Sequence, residues 1–247
     1  MNAAEPVPPR KGFSRRAVVA AALLVTLGSG YALWQHEKPP RFLHAAESDF
    51  TALFATPPAA DSPQTRGELE DLLAMQQRRS PQEAEAAYAD RKTEIWQFAS
   101  ALGLPPDQVR EMGALNRLAE QIEDDVRPYV RAAKHRFLRL RPYEIEPRIT
   151  PCIDNVRGDL SYPSGHSTYG YVMAYLLSDM VPERRTQLMA RAQQFAQQRA
   201  LCGVHFPSDL EAGRIGAEWL TQRFLTSPDY QAASVEARRE LRAAVVR

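Results

Sequence analysis

Apolar side chains recur every three to four residues from Gly67 through most of the sequence. Between residues 107 and 140, one stripe contains Val109, Met112, Leu115, Leu118, Ile122 and Val126. This spacing is typical of helices that bury one face, and no stretch alternates as a half-buried strand does. A chain of 247 residues can form one sizeable core, so we predict an all-α protein with a single helical domain.

Proline, glycine and capping residues predict the helix boundaries. Ser80, Pro81 and Glu83 have the pattern of a capping box with proline at the first helical position. We expect that helix to end at Gly103, and we expect Pro128 to kink or break the next one. The other predictions are helices over residues 68–79, 107–140, 164–180, 183–202 and 209–225, and an irregular loop over residues 142–163.

Residues 1–34 have the pattern of an export signal. Four basic residues precede an uncharged run from Ala17 to Trp34, which at 18 residues is near the lower limit for spanning a bilayer. We interpret this segment as a signal peptide cleaved after Ala32 or as an uncleaved membrane anchor, and Sec and twin-arginine export both stay open. Either interpretation delivers the chain to the bacterial periplasm, with membrane contact only through this segment.

The next segment, residues 35–66, contains five prolines and is predicted to be an irregular lead-in. Residues 67–247 then form the folded domain. The net charge is +1, but the first 38 residues contain five basic and two acidic side chains, so the remainder carries −2. Nucleic-acid binders usually have a strongly basic domain or face, so we expect no nucleic-acid partner and only a local anion site.

Cys152 and Cys202 are the only cysteines in the sequence. An exported protein folds in an oxidising compartment, where the two can form a disulfide; two buried thiols are the alternative. The bond would close a loop of about 50 residues and stabilise the fold by roughly 4 kcal/mol in the chain-entropy model.

Lys134 and Arg141 form the first candidate group for chemistry. Seven residues are two helical turns, so both cations would share one helix face. They suit a dianion, because arginine can donate two parallel hydrogen bonds and lysine adds a point charge. A solvated basic face is the alternative, because further basic residues surround them: Arg131, His135, Arg136 and Arg139.

Ser164, Gly165 and His166 form the second group, at the predicted start of a helix. A helix N-terminus offers unpaired N–H groups and the positive end of the helix dipole, and glycine lets an anion approach closely. The group fits a phosphate site in which His166 transfers a proton. The alternative is a simple Ser164 cap beside a surface histidine.

Arg199, His205 and Asp209 form the third group. An aspartate four residues after a histidine can hold the imidazole in one tautomer, which leaves the other nitrogen free as a nucleophile. A metal site of His205, Asp209 and His166 is the alternative, but no further histidine falls at a ligand spacing. Three cations, amide donors, two histidines and a carboxylate suffice for metal-free phosphoryl transfer, so we expect no metal and no cofactor.

Together the groups resemble a known superfamily pattern, K-x6-R-P, then P-S-G-H, then S-R-x5-H-x3-D. This superfamily contains class A bacterial non-specific acid phosphatases, type 2 phosphatidic acid phosphatases and vanadium haloperoxidases. The matching residues are Lys134-x6-Arg141-Pro142, Pro163-Ser164-Gly165-His166 and Arg199-x5-His205-x3-Asp209. Gln198 replaces the usual serine, at what we expect to be the edge of the site. The similarity covers residues 80–225 and resembles class A in the placement of its cysteines.

The resemblance implies a helical bundle of the acid phosphatase and vanadium haloperoxidase type. It implies that His205 is the nucleophile and forms a phosphohistidine, that Asp209 orients it, and that His166 is first the general acid and then the base. It also implies that residues of all three groups bind phosphate: Lys134, Arg141, Ser164, Gly165 and Arg199. The implied activity is metal-independent hydrolysis of small phosphate monoesters to inorganic phosphate, with a family tendency toward homodimers.

Two other activities would use the same kind of pocket. A phosphatase for lipid phosphates or diphosphates at the membrane surface is one, and an uncleaved anchor would favour it. A vanadate-dependent haloperoxidase is the other, because vanadate mimics phosphate. A non-catalytic anion-binding relative would lack the nucleophile, whereas His205 and His166 are both present.

Overall fold

In the part of the chain that the computed structural model describes, every regular element is a helix. The structure describes residues 40–153 and 159–245, and no strand occurs within them, which confirms the predicted all-α fold. The predicted export signal lies outside the described residues. Among the helices that are described, none has both the length and the apolar character needed to cross a bilayer.

The described chain contains eleven helices: α1 Glu47–Thr51, α2 Pro63–Arg78, α3 Pro81–Ala89, α4 Ala99–Leu102, α5 Pro106–Glu111, α6 Gly113–Phe137, α7 Pro142–Ile145, α8 Gly165–Met180, α9 Arg185–Leu201, α10 Pro207–Thr226 and α11 Pro228–Val245. Short 3₁₀ turns precede α4 and α9. The side chains of Ser62, Ser80 and Ser164 accept backbone N–H groups in the first turns of α2, α3 and α8. These caps explain why three of the helices begin where they do.

Some predicted boundaries were wrong. The sequence predicts a helix from Ser80 to Gly103, whereas α3 ends at Ala89. The side chain of Gln97 turns the chain there, because its amide donates to the Ala89 carbonyl and its oxygen accepts the Glu94 N–H. Helix α6 runs through Pro128 without a break. No element was predicted after residue 225, where α11 packs against α6.

The proline-dotted lead-in contributes to the core. Its described part contains α1 and buries three aromatic side chains: Phe42, Phe50 and Phe54. Asp125 on α6 fixes the start of this segment, because its carboxylate accepts three consecutive backbone N–H groups, those of residues 41–43, at 2.6–3.0 Å. The described part of this segment, for which the sequence predicted an irregular lead-in, is therefore partly helical and packs against α6.

Helix α8 lies at the centre of the helical unit. Twelve of its sixteen residues are buried, as expected for a helix that is covered on several sides, and α9 and α10 pack along it. Gly213 on α10 permits a close approach, since a Cβ there would lie 2.8 Å from the Ser164 carbonyl oxygen. This packing places the start of α10 beside the start of α8, where two of the motif groups meet.

Cys152 and Cys202 form a disulfide, which confirms the predicted pairing. The bond joins the loop after α7 to the end of α9, and the Cys152 N–H donates to the Cys202 carbonyl at 3.3 Å. Gly203 follows with φ 68°, and a Cβ at this position would lie 2.5 Å from a methyl carbon of Ile149. Glycine thus makes possible the tight turn that leads to His205.

Candidate active site

The three motif groups come together around the starts of α8 and α10. Their side chains come from six places: Lys134 from the last turn of α6, Arg141 from the residue before α7, Gly165 and His166 from the first turn of α8, Arg199 from the last turn of α9, His205 from the α9–α10 turn and Asp209 from the first turn of α10. We call Lys134, Arg141 and Arg199 the cationic cradle.

The prediction that Lys134 and Arg141 share one helix face was wrong. Helix α6 ends at Phe137, where Leu138 adopts φ 52°, and Arg141 follows in the turn before α7. The two cations converge instead on the carboxylate of Asp159. Lys134 Nζ lies 3.1 Å from one oxygen of Asp159, and Arg141 forms an ion pair with the other. Asp159 follows Lys134 by 25 residues and belongs to none of the sequence motifs.

Burial and charge set the ionisation of this ion-paired group. Burial and the neighbouring Arg141 lower the pKa of Lys134, while Asp159 acts in the opposite direction. Partial burial opposes ionisation of Asp159, but Arg141 and Lys134 prevail and lower its pKa. An anion that entered between Lys134 and Arg141 would have to break both ion pairs to Asp159.

His205 lies between Arg141 and Asp209. Arg141 Nη1 is 2.8 Å from His205 Nε2. A guanidinium offers only donors, so Nε2 presents its lone pair and the ring proton lies on Nδ1. Nδ1 faces Asp209 Oδ2 at 3.3 Å and Ser161 Oγ at 3.4 Å. Burial and the positive charges of the cradle lower the pKa of His205 well below its ordinary value, so the ring is neutral.

Asp209 is fully buried, and both of its oxygens accept hydrogen bonds. Oδ1 accepts from Arg139 at 2.6 Å, and Oδ2 accepts from the Ser161 hydroxyl at 2.5 Å and from the Phe206 N–H at 2.9 Å. Burial raises the pKa of this carboxyl, and Arg139 and the hydrogen bonds act against the increase. Ser161 belongs to none of the sequence motifs, and Arg139 was named only as part of the alternative interpretation, a solvated basic face.

His166 is the second residue of α8. Its ring stacks on Phe195 with the centroids 5.6 Å apart, and its Nε2 lies 2.9 Å from the Arg91 carbonyl oxygen. Burial and the nearby charge of Arg199 lower the pKa of His166 to about 3, and Arg141 and Lys134 add to this effect. His166 is therefore neutral in the ligand-free site, and a bound dianion would raise its pKa by offsetting the cations.

Ser164 and Gly165 occupy different surroundings. Ser164 is buried, and its hydroxyl accepts the Ser167 N–H at 3.3 Å, which is the simple capping role that the sequence left open. Gly165 lines a cavity of about 430 Å³ together with Lys134, Asp159 and His166. The walls farther from the motif residues combine apolar and polar side chains: Val126, Val130, Tyr169, Thr93, Glu123, Arg127 and Arg131.

Arg199 is buried and retains an unused donor. Its Nη1 donates to the Asp90 carbonyl at 3.1 Å, while its buried Nε–H has no partner within the described residues. Burial and Arg141 lower the pKa of Arg199 to about 10. The preceding Gln198 lines a separate cavity of about 730 Å³ that no cradle residue lines.

Across residues 40–153 and 159–245, no three His, Cys, Asp or Glu side chains are grouped so that they could hold a metal ion. Residues 126–230 match the PAP2 superfamily. This match contains all three motif groups, in agreement with the resemblance that the motifs indicated.

Curated relatives include bacterial acid phosphatases. The chain is 31% identical over 146 residues to a non-specific acid phosphatase of Providencia stuartii, which covers 58% of this chain and 59% of that protein. It is 38% identical over 113 residues to one of Salmonella typhimurium, covering 44% and 45%. It is 31% identical over 150 residues to an acid phosphatase of Zymomonas mobilis, covering 58% and 55%. The chain thus matches about half the length of these relatives.

Among solved structures, the chain is similar to a transmembrane PAP2 type phosphatidylglycerolphosphate phosphatase from Bacillus subtilis. The TM-score is 0.48 at 18% sequence identity, and the match covers 72% of this chain and 91% of that one.

Proposed function

We propose that this protein is an exported acid phosphatase of the class A non-specific type, because residues 126–230 match the PAP2 superfamily and curated relatives are named non-specific acid phosphatases. Its substrates are small phosphate monoesters, and its product is inorganic phosphate. The observation that carries the proposal is the setting of His205. The lone pair of Nε2 faces Arg141 at 2.8 Å, while Nδ1 faces the buried Asp209.

The first step transfers the phosphoryl group to His205. The phosphoryl oxygens take the place of Asp159 beside Lys134 and Arg141, and the Arg199 Nε–H and the first N–H groups of α8 add donors. Arg141 Nη1 turns from Nε2 to a phosphoryl oxygen, and the freed Nε2 lone pair attacks phosphorus in line, so that the P–N bond forms as the bond to the leaving oxygen breaks. The ring becomes cationic and keeps its Nδ1 proton against Asp209, and His166 gives a proton to the leaving alcohol.

The second step releases phosphate. The neutral His166 takes a proton from a water molecule, which attacks phosphorus and breaks the P–N bond. His205 returns to its neutral form, and His166 regains the proton needed for the next turnover. The cradle supplies the positive charge that stabilises the transferring oxygens in both steps, without a metal ion. The cavity of about 430 Å³ beside His166 gives the leaving group a place to bind.

Hydrolysis of p-nitrophenyl phosphate in the presence of a chelator tests the proposal. We expect activity at acidic pH, a loss of at least about a thousandfold in His205→Ala, and an acid-labile phosphoenzyme in the wild type alone. His135→Ala, which removes an exposed histidine, is the matched control and should retain full activity. Activity that requires a metal ion, or that persists in His205→Ala, would contradict the mechanism. A strong preference for phosphatidate in micelles would instead favour the lipid phosphatase.

A further inference from the structure

A second buried carboxylate lies behind Asp209. Glu68 comes from α2, outside all three motif groups, and Arg139 lies between the two acids. Arg139 Nη1 is 2.6 Å from Asp209 Oδ1, and Arg139 Nη2 is 2.8 Å from Glu68 Oε2. The side chains of these three residues are 0–9% exposed, so the group is shielded from solvent.

Further contacts fix the guanidinium of Arg139. Its Nη1 donates to Ser208 Oγ at 2.7 Å, and its Cζ lies 3.9 Å from the centroid of the Phe206 ring. The Ser208 N–H donates to the free oxygen of Glu68 at 2.7 Å. Helix α2, the α6–α7 turn and the first turn of α10 therefore meet at one side chain, two residues from Arg141 of the cradle.

The negative charge of Glu68 offsets the positive charge of Arg139. A single arginine beside Asp209 would cancel its charge, and the His205 ring would then face no net negative charge when it becomes cationic. With Glu68 ionised, the buried group of two acids and one arginine has a net charge of −1. Removing one member of a buried ion-paired group leaves an uncompensated charge, so the three residues depend on one another.

We propose that Glu68 and Arg139 are positioning residues that act on His205 through Asp209. Arg139 holds the Asp209 carboxylate in place, and Glu68 both holds Arg139 and restores the negative charge that it neutralises. The inference rests on the proposed function, because that function makes His205 the nucleophile. Neither residue is assigned a contact with substrate.

A double-mutant cycle tests the inference. Glu68→Gln keeps the shape of the side chain and removes its charge, so we expect kcat to fall about tenfold. The inhibition constant of inorganic phosphate should change less than about twofold, because the cradle is intact. In an Arg139→Gln background, Glu68→Gln should lower kcat by less than about twofold, because the effect of Glu68 on His205 passes through Arg139. Glu70→Gln, an exposed position on the same helix, is the matched control and should change nothing.

A spectroscopic measurement needs no turnover. The NMR resonance of the His205 Nδ1 proton reports its hydrogen bond to Asp209, and we expect it to move upfield in Glu68→Gln and in Arg139→Gln. If Arg139→Gln does not fold, Arg139→Lys replaces it, because it keeps the charge and loses the forked donors. Additive losses of kcat, or an unmoved resonance, overturn the inference. A wild type without phosphatase activity refutes the proposed function, and the resonance still decides the inference.

Discussion

In the proposed mechanism, Asp159 is the residue that a phosphate group displaces. Its carboxylate pairs with Lys134 and with Arg141, and its side chain is 41% exposed. The ligand-free cradle is therefore partly neutralised by the protein itself. The carboxylate of Asp159 offsets the charges of Lys134 and Arg141 when no anion is bound. Because an anion must compete with this carboxylate, the arrangement lowers the affinity of the site for anions.

Asp159→Asn should strengthen the binding of inorganic phosphate. Two partly exposed ion pairs contribute roughly 0.2–1 kcal/mol each, so the inhibition constant of phosphate should fall about two- to thirtyfold. Asp179→Asn is the matched control, because Asp179 has the same 41% exposure and pairs with Arg238 in a surface ion pair. A weaker inhibition by phosphate in Asp159→Asn would mean that Asp159 orients the cations and does not compete for them.

Among the elements, α8 and α10 determine the site's geometry. The N-terminus of α8 carries His166, and α10 carries Asp209 in its first turn. The two helices are joined by a backbone hydrogen bond from the Ser164 N–H to the Asp209 carbonyl at 3.0 Å. A change in the spacing of these helices would therefore move His166, the proposed general acid, relative to Asp209, which contacts the proposed nucleophile His205.

Gly213→Ala changes that spacing. A Cβ would lie 2.8 Å from the Ser164 carbonyl and 2.7 Å from Ser167 Cβ, so one helix must shift. We expect a loss of about 1–3 kcal/mol in the free energy of unfolding and a lower kcat. Gly67→Ala on α2 has open space around its Cβ and should be neutral or stabilising by up to about 1 kcal/mol. Equal stability and activity of both variants in urea unfolding and kinetic assays would argue against this account.

For the molecule as a whole, the sequence predicted the features that depend on residues close together in the chain. The all-α fold followed from apolar periodicity, and the start of α3 followed from its capping box, because both depend on neighbouring residues. The early end of α3 could not be predicted in this way, because it depends on the side chain of Gln97 in the following turn. Motif spacing predicted the candidate residues of the site. It did not predict the two acids that pair with the basic residues there, because these contacts join distant parts of the sequence. Asp159 is 25 positions from Lys134, and Glu68 is 71 positions from Arg139.

Global stability should depend on pH through the two histidines. The pKa of His166 is lowered to about 3 by burial and Arg199, and that of His205 is also lowered, whereas an unfolded imidazole titrates near 6.5. Between about 6.5 and 3, the unfolded chain therefore binds more protons, so the free energy of unfolding should fall as the pH falls.

Urea unfolding at a series of pH values measures this dependence. His166→Gln should reduce its slope, because one of the two responsible groups is removed. Saturating phosphate should reduce it as well, because the bound dianion raises the pKa of the histidines in the folded state. A slope that neither change affects would show that other groups control acid unfolding.

The disulfide between Cys152 and Cys202 divides the candidate catalytic residues into two sets. The 50-residue loop that it closes contains all of α8 and α9, with His166 and Arg199, and leaves Lys134 and His205 outside. A denatured but oxidised chain still holds residues 149–152 beside residues 202–205, so one long-range encounter is already complete when refolding begins. Because distant contacts are slow to form, the bond would shorten the search by which a working site is reassembled.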